Sequence, residues 1–359
     1  MMTIVQIIPR LYPGGAERLV LQYAEEFSTR DCSVHVMSSV GDGALRPLFE
    51  NTKAELIVGS REKHGGRWGV WKFLKKELQR IQPDIVHTHL MGGDMIGYLW
   101  KRISPQTIWI STAHNVEFHT PWIKRVAWKI FLKKVDVVIA VSDAVASYSH
   151  EEFGVPKEKI QTIYNGVEVG KWKKIPAKKF DPSAPSFATI GRLEEQKGHI
   201  FALRALAELQ SLPWTYHVYG DGSLLSMLQY TAQALGVANR IVWHGNQSDM
   251  VSALKDIDVV VQPSLWEGMS LVVLESMAAG RTVIASTAAG GGIIEHGQTG
   301  FLFETGATKE LVRAFRGVLE NPTDVMQIAK QARIYAEKNF DMKNHYRAVK
   351  NLYSSLVSS

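Results

Sequence analysis

Gln262-Pro263-Ser264-Leu265-Trp266-Glu267-Gly268-Met269-Ser270-Leu271-Val272-Val273-Leu274-Glu275 is the stretch on which the reading of this chain turns. The apolar run ahead of it, residues 259–261, reads as a buried parallel strand. Pro263 ends that strand, Gly268 loosens the turn, and Ser270 is a candidate N-cap for a helix starting at Leu271. A strand, a glycine-containing turn and a helix start form an anion site, because unsatisfied backbone N–H groups and the helix dipole point at whatever the loop holds. Glu267 lies in the loop and Glu275 about a turn inside the helix, eight residues apart. A diphosphate with a polyhydroxyl group at each end satisfies this layout, the helix start taking the phosphates and each carboxylate accepting from a vicinal diol. The same spacing also suits an ordinary strand-to-helix turn with two solvated glutamates.

The segment resembles the Glu-x7-Glu motif of retaining glycosyltransferases of the GT-B fold, a large family (bacterial glycosyltransferase family 4 type) of mannosyl-, glucosyl- and N-acetylglucosaminyltransferases. The resemblance implies an α/β protein of two doubly wound, Rossmann-like domains facing a central cleft, with the C-terminal helix packing back on the N-terminal domain.

Bulk properties agree with two domains. The chain of 359 residues exceeds one typical core, and 45% hydrophobic with 21% charged residues describes a folded globular protein. A single cysteine, Cys32, excludes an intramolecular disulfide and fits a reducing cytosol. The first ten residues lack a basic segment and a long apolar one, so no signal peptide is expected; no window reaches the roughly 20 apolar residues of a bilayer span. The net charge of +6 belongs to the first half: residues 1–174 hold 24 Lys and Arg against 18 Asp and Glu, and residues 175–359 hold 17 of each. Such a bias suits a phosphate-bearing partner, and is also common in proteins without one.

Strand-like and helix-like stretches alternate along the chain, which implies parallel sheets covered on both faces. Leu19, Val20, Tyr23, Ala24 and Phe27 mark one helical face, and Trp71, Leu74, Leu78 and Ile81 another. The polar, proline-bearing stretch around residues 165–185 interrupts the alternation. We therefore expect an acceptor-side domain over 1–170, a linker over 171–185, a nucleotide-sugar-binding domain over 186–341 and a C-terminal helix over 342–359.

Other motifs join the first. Gly14-Gly15-Ala16-Glu17 follows the first strand and opens the first helix, where paired glycines let backbone approach a ligand. It lacks the Gly-x-Gly-x-x-Gly spacing, so a dinucleotide fingerprint is unsupported. The resemblance makes this the loop facing the donor diphosphate. Arg192 and Lys197, within Gly191-Arg192-Leu193-Glu194-Glu195-Gln196-Lys197-Gly198, could bracket a diphosphate with two cations. They are similar to the family's phosphate-binding Gly-Arg-Leu…Lys-Gly loop. His114, at the end of a strand, resembles the family's cleft histidine that contacts the donor sugar. Gly220-Asp221 and Gly245 end strands and are expected to shape the nucleotide pocket, with Gly268, Met269, Ser270 and Leu271 completing the donor site. Residues 289–295 resemble the family's glycine-rich loop after the last cleft strand.

His87 and His89 share a strand face as a metal pair would, but no third ligand stands at supporting spacing, and a structural role is preferred. Asp256-Ile257-Asp258 matches the metal-holding Asp-x-Asp of another glycosyltransferase fold, yet sits at the wrong end of its strand. No metal and no cofactor are expected.

The resemblance implies metal-independent transfer of a hexose or N-acetylhexosamine, with retention, from a nucleotide diphosphate sugar, UDP favoured over GDP. The acceptor is a glycan or polyprenyl-linked molecule in envelope polysaccharide or glycoconjugate synthesis; nucleic acid is not an expected partner. Glu267, His114, Arg192 and Lys197 carry the catalytic roles and Glu275 holds the ribose. No enzyme nucleophile stands out, which favours attack by the acceptor on the leaving-group side. A nucleotide-sugar 2-epimerase and a non-catalytic sugar-nucleotide-binding protein are the alternatives. Two stretches mixing Trp with Lys and Arg, residues 68–76 and 122–134, suggest a cytoplasmic protein with peripheral contact to an anionic membrane; the other reading buries the apolar faces of both helices in the core.

Overall fold

The computed structural model describes residues 1–116, 121–247 and 249–358. It divides into two compact units, Met1–Tyr164 with His345–Ser359, and Asn165–Asn344.

In the first unit, β1 (Met2–Ile8), β2 (Cys32–Ser38), β3 (Glu55–Val58), β4 (Ile85–His89), β5 (Ile108–Ala113), β6 (Val137–Ala140) and β7 (Ile160–Thr162) form one sheet in the order 3-2-1-4-5-6-7. Every pairing is parallel. A parallel sheet needs cover on both faces, and β1 shows how its residues divide: Val5 and Ile7 pack with Leu74, Leu78 and Trp109, while Ile4 packs with Tyr23, Ile85 and Ile110. The first helix, Gly15–Phe27, buries Leu19, Val20, Tyr23, Ala24 and Phe27, the face that its periodicity predicts. The C-terminal helix, Met342–Ser358, returns to this core through Val349, Leu352 and Tyr353, in keeping with the expectation that it packs on the N-terminal domain.

The second unit repeats the plan. Strands β8 (Ser186–Ile190), β9 (Thr215–Tyr219), β10 (Ile241–Gly245), β11 (Val259–Gln262), β12 (Thr282–Ser286) and β13 (Phe301–Phe303) pair in parallel in the order 10-9-8-11-12-13. Residues 165–185 belong to this unit instead of forming a separate linker: Trp172, Ile175 and Phe180 are buried, and Arg333 donates to the Ile175 carbonyl at 2.8 Å. Polarity and prolines mark the segment as a connector, but these three apolar side chains anchor it.

Sequence periodicity misses one substantial helix, Leu90–Lys101. Its glycines lower helix propensity, yet they let it lie close to the sheet. A Cβ on Gly93 would sit 2.7 Å from the Ile7 carbonyl oxygen, and one on Gly97 would sit 2.4 Å from the Trp109 indole nitrogen. From this helix Asp94, fully buried, accepts from Thr88 at 2.5 Å, Ser111 at 2.7 Å and Trp128 Nε1 at 2.7 Å. Anchored by that indole, the helix Trp122–Leu132 buries Trp128 and Leu132 and leaves Ile123, Val126 and Ile130 exposed. Its apolar stripe thus points to solvent, against the reading that places it in the core. In the helix Gly66–Ile81 the stripe does face inward, through Val70, Leu74 and Leu78, and Trp68 is 73% exposed.

Four histidines cluster in the first unit, His87, His89 and His345 buried and His114 half-buried. Burial, reinforced by neighbouring imidazoles, lowers His87 and His114 to about 3 and holds His89 well below its ordinary value; burial also lowers His345. The folded form therefore binds fewer protons than the unfolded chain below about pH 6.5, and stability falls as the pH drops. Asp94, raised to about 6 by burial, acts in the opposite sense, as one group against four. His87 and His114 should each cost about 1 kcal/mol between pH 8 and pH 5.5, with His89 and His345 acting in the same direction, and the unfolding temperature should drop by about 5 °C or more. Thermal melts across that range check this, and a flat profile would refute it.

Candidate active site

Three neighbouring strands of the second unit end in glycines with positive φ: Gly191 after β8 (+147°), Gly220 after β9 (+134°) and Gly245 ending β10 (+64°). Their backbones lace together, Gly191 N–H donating to the Tyr219 carbonyl at 2.9 Å and Gly220 N–H to the Gly245 carbonyl at 2.8 Å. A Cβ on Gly220 would lie 1.9 Å from the Gly191 carbonyl oxygen, so no side chain fits. Leu193 N–H continues the lacing to the Asp221 carbonyl at 2.9 Å, while the Asp221 carboxylate caps Gly222 N–H at 2.7 Å.

The loops after β8 and β11 meet at the point where the strand order reverses. Leu265 N–H donates to the Gln196 carbonyl at 2.7 Å, and Gln196 Nε2 to the Trp266 carbonyl at 3.0 Å. Gly198, at φ +62°, passes so close to Pro263 that a Cβ would stand 2.1 Å from its carbonyl oxygen. This clasp brings together residues 70 positions apart: Lys197 Nζ donates to Glu267 Oε1 at 2.5 Å. Their side chains are 14% and 10% exposed. The same carboxylate oxygen accepts from Ser264 Oγ at 2.8 Å, itself approached by Gln262 Nε2 at 3.1 Å.

Arg192 is exposed and donates to Gln196 Oε1 at 3.1 Å. His199, held neutral by burial that lowers it to about 4, bridges the Arg192 carbonyl at 3.0 Å and Thr189 Oγ1 at 3.3 Å. Gln196, Ser264 and His199 are thus supporting residues that the motif reading omits. Their one sequence signal is a polar type where the structure buries the residue.

The helix Leu271–Ala278 begins where its sequence predicts, with Ser270 at the N-cap position. The Ser270 side chain makes no capping bond; its Oγ is buried without a protein partner. That corrects the capping expectation and leaves a hydroxyl as well as backbone donors at the helix start. Met269 is buried, its sulfur accepting from Asn165 N–H at 3.2 Å; Gly268 is buried and Glu275 half-buried.

In the first unit, Gly14 caps the helix Gly15–Phe27 in extended backbone without a side-chain bond, and a Cβ there would strike the Glu17 carboxylate at 2.3 Å. His114 follows β5, with Nε2 2.9 Å from His89 Nδ1. His87 and His89 bond to Tyr353, Thr112, Gln6 and His114, a structural arrangement. Asp258 accepts from Ser186 N–H at 2.8 Å and Lys178 at 2.9 Å, at the amino end of β8. Among the described residues no group of three His, Cys, Asp or Glu side chains could hold a metal ion. A surface hollow of about 550 Å³ in the second unit, lined by Gln298, Phe301, Asn321 and Asp324, includes none of the motif residues.

Two doubly wound units with charged, glycine-rich loops at the carboxyl ends of their strands define an α/β protein of the GT-B class. Residues 170–335 match the model for glycosyl transferases group 1, and residues 13–171 that for glycosyltransferase family 4. An uncharacterized glycosyltransferase of Methanocaldococcus jannaschii is 30% identical over 73% of this chain and 74% of its own. The UDP-Gal:alpha-D-GlcNAc-diphosphoundecaprenol alpha-1,3-galactosyltransferase of Escherichia coli is 26% identical, over 98% of this chain and 96% of its own. Among solved structures, Anabaena HepE in complex with UDP and glucose superposes with a TM-score of 0.87 at 23% identity, covering 99% of this chain and all of that one. The chain belongs to the family 4 glycosyltransferases.

Gly198→Ala tests the clasp. The added methyl must push the Lys197 and Glu267 loops apart and sits at a strained φ, so the unfolding temperature should fall and transfer activity drop by about tenfold or more. Wild-type melting and activity would show that the loops do not depend on this contact.

Proposed function

We propose that this glycosyltransferase moves a hexose or N-acetylhexosamine, with retention, from a UDP-sugar to a glycan or polyprenyl-linked acceptor in envelope polysaccharide or glycoconjugate synthesis. The observation that carries this reading is the Lys197–Glu267 pair, held 2.5 Å apart on clasped loops beside a helix start with a free backbone face. The E. coli relative is named for a UDP-sugar donor and a diphosphoundecaprenol acceptor, which supports both choices.

Departure of the diphosphate limits such chemistry, so the barrier falls where charge builds on it. Arg192, Lys197 and the N–H groups at Ser270 and Leu271 take that charge from fixed positions, with little reorganisation. A diphosphate arriving at Lys197 finds a cation already oriented by Glu267 and with two of its three protons left to give. Glu267, whose Oε1 is engaged, offers Oε2 to the sugar hydroxyls, and Glu275 accepts from the ribose. Gly191, Gly220, Asp221, Gly245, Gly268 and Met269 shape the donor pocket around them. Within the first unit alone, Gly14 and Gly15 leave backbone at a helix start that suits a phosphate, and the His114 imidazole suits a sugar hydroxyl.

Glu267→Gln keeps the shape and weakens charge-assisted acceptance, each such bond being worth about 1.5–3 kcal/mol, so turnover should fall at least about tenfold with the fold retained. Unchanged UDP release in the presence of acceptor would remove Glu267 from the site. A thermal-shift panel of UDP-, GDP- and ADP-sugars tests the base, a larger shift with a GDP-sugar excluding the UDP assignment.

The outward stripe of the helix Trp122–Leu132 supports peripheral contact with an anionic membrane. Trp122, Ile123, Val126 and Ile130 are 72, 64, 50 and 47% exposed, with Lys124, Lys129, Lys133 and Lys134 alongside. Apolar side chains between lysines suit a headgroup boundary, each basic residue adding about 1 kcal/mol near anionic lipid. Pelleting with anionic liposomes should fall steeply with salt and be lost in Ile123→Glu. Equal, negligible pelleting with anionic and neutral liposomes would refute the contact. No described helix is long and apolar enough to cross a membrane.

A further inference from the structure

A hydrogen-bond chain in the first unit begins on the C-terminal helix and ends on His114. Gln6 Nε2 donates to the Tyr353 hydroxyl at 3.1 Å, and Gln6 Oε1 lies 2.9 Å from His89 Nε2. His89 Nδ1 in turn lies 2.9 Å from His114 Nε2. Gln6, His87, His89 and Tyr353 are all fully buried.

The direction of each bond follows from elementary acid–base inventory. With the Gln6 amide oxygen facing His89, that oxygen can only accept, so His89 Nε2 carries the proton. A neutral imidazole with a protonated Nε2 has a bare Nδ1, which can only accept, and it accepts from His114 Nε2–H. On the other side, the Tyr353 hydroxyl, having accepted from Gln6, gives its own proton to His87 Nδ1 at 2.5 Å. His87 Nε2–H then donates to Thr112 Oγ1 at 2.6 Å. Turning the Gln6 amide over would reverse every one of these bonds together.

We propose that this chain fixes the tautomer of His114, with Nε2 protonated toward His89 and Nδ1 left as an acceptor, and that Gln6, His89 and Tyr353 are positioning residues for it. The functional part rests on the reading of His114 as a sugar-hydroxyl contact: a bare Nδ1 accepts a hydroxyl proton, whereas the other tautomer would present an N–H and require the hydroxyl oxygen to accept. Tyr353 lies 239 positions from His114 in the sequence, so the C-terminal helix sets the chemistry of a ring on β5's exit loop.

Long-range proton–nitrogen NMR of the full-length protein with labelled histidine reads the tautomer directly, the His114 signals being assigned by their loss in His114→Ala. The expected wild-type result is a protonated Nε2 and a bare Nδ1. The opposite tautomer, or an even mixture, overturns the proposal without recourse to any variant. Tyr353→Phe removes one oxygen and should release the chain, so that the His114 tautomers mix while kcat falls about tenfold and the donor KM moves less than about twofold. Gln6→Leu should act alike, and melting curves confirm that each variant folds. A tautomer and kcat unchanged in both variants would overturn the chain. In a His114→Ala background Tyr353→Phe should cost no further rate. A wild-type rate in His114→Ala would sink the sugar-contact reading, while the tautomer measurement still decides whether the chain exists.

Discussion

In each sheet the strand order reverses once, between β1 and β4 in the first unit and between β8 and β11 in the second. Connections from the two strands at such a reversal run to opposite faces of the sheet, so neither can roof the gap between their carboxyl ends. That gap is a constraint of topology, independent of side chains, and the rest of the molecule is arranged around it. The loop carrying Arg192 and Lys197 leaves from β8 and the loop carrying Glu267 leaves from β11. The loop with Gly14 and Gly15 leaves from β1.

A gap alone does not hold charges in place. In the second unit that task falls on backbone contacts between loops, reinforced by Gln196, and the outcome is an ion pair with little exposure on either partner. Taking both charges partly out of water is costly, and removing one partner strands the other. The pair is therefore unlike a surface salt bridge, whose worth is near zero. Ser264, supported by Gln262, holds the same carboxylate oxygen that Lys197 does, and the second oxygen takes no part in these bonds.

Much of this was legible in the sequence because motifs at strand exits combine residue types that are expensive to keep together without a ligand. Glu267 and Glu275, Arg192 and Lys197 announce themselves as charges at fixed spacing. The apolar face of the first helix emerges from its period, since one buried stripe on one sheet face leaves no ambiguity. The helix Leu90–Lys101 escapes because its glycines, which lower helix propensity, are selected by the nearness of the sheet, a tertiary fact. Short edge strands such as β7 and β13, of three residues each, carry too little pattern to register. The partners of Gln6 and His87 are invisible for another reason: Tyr353 joins them from the far end of the chain, and no local rule links positions so distant.

The three laced glycines at the ends of β8, β9 and β10 also bear on how such an enzyme can diverge. Positive φ at Gly191, Gly220 and Gly245, and the backbone oxygen occupying the Cβ position of Gly220, close those sites to ordinary side chains. The residues beside them, such as Arg192 and Asn246, have no left-handed φ and are free of that constraint. In a scaffold so built, the floor at these strand ends resists substitution while the side chains around it stay open to change.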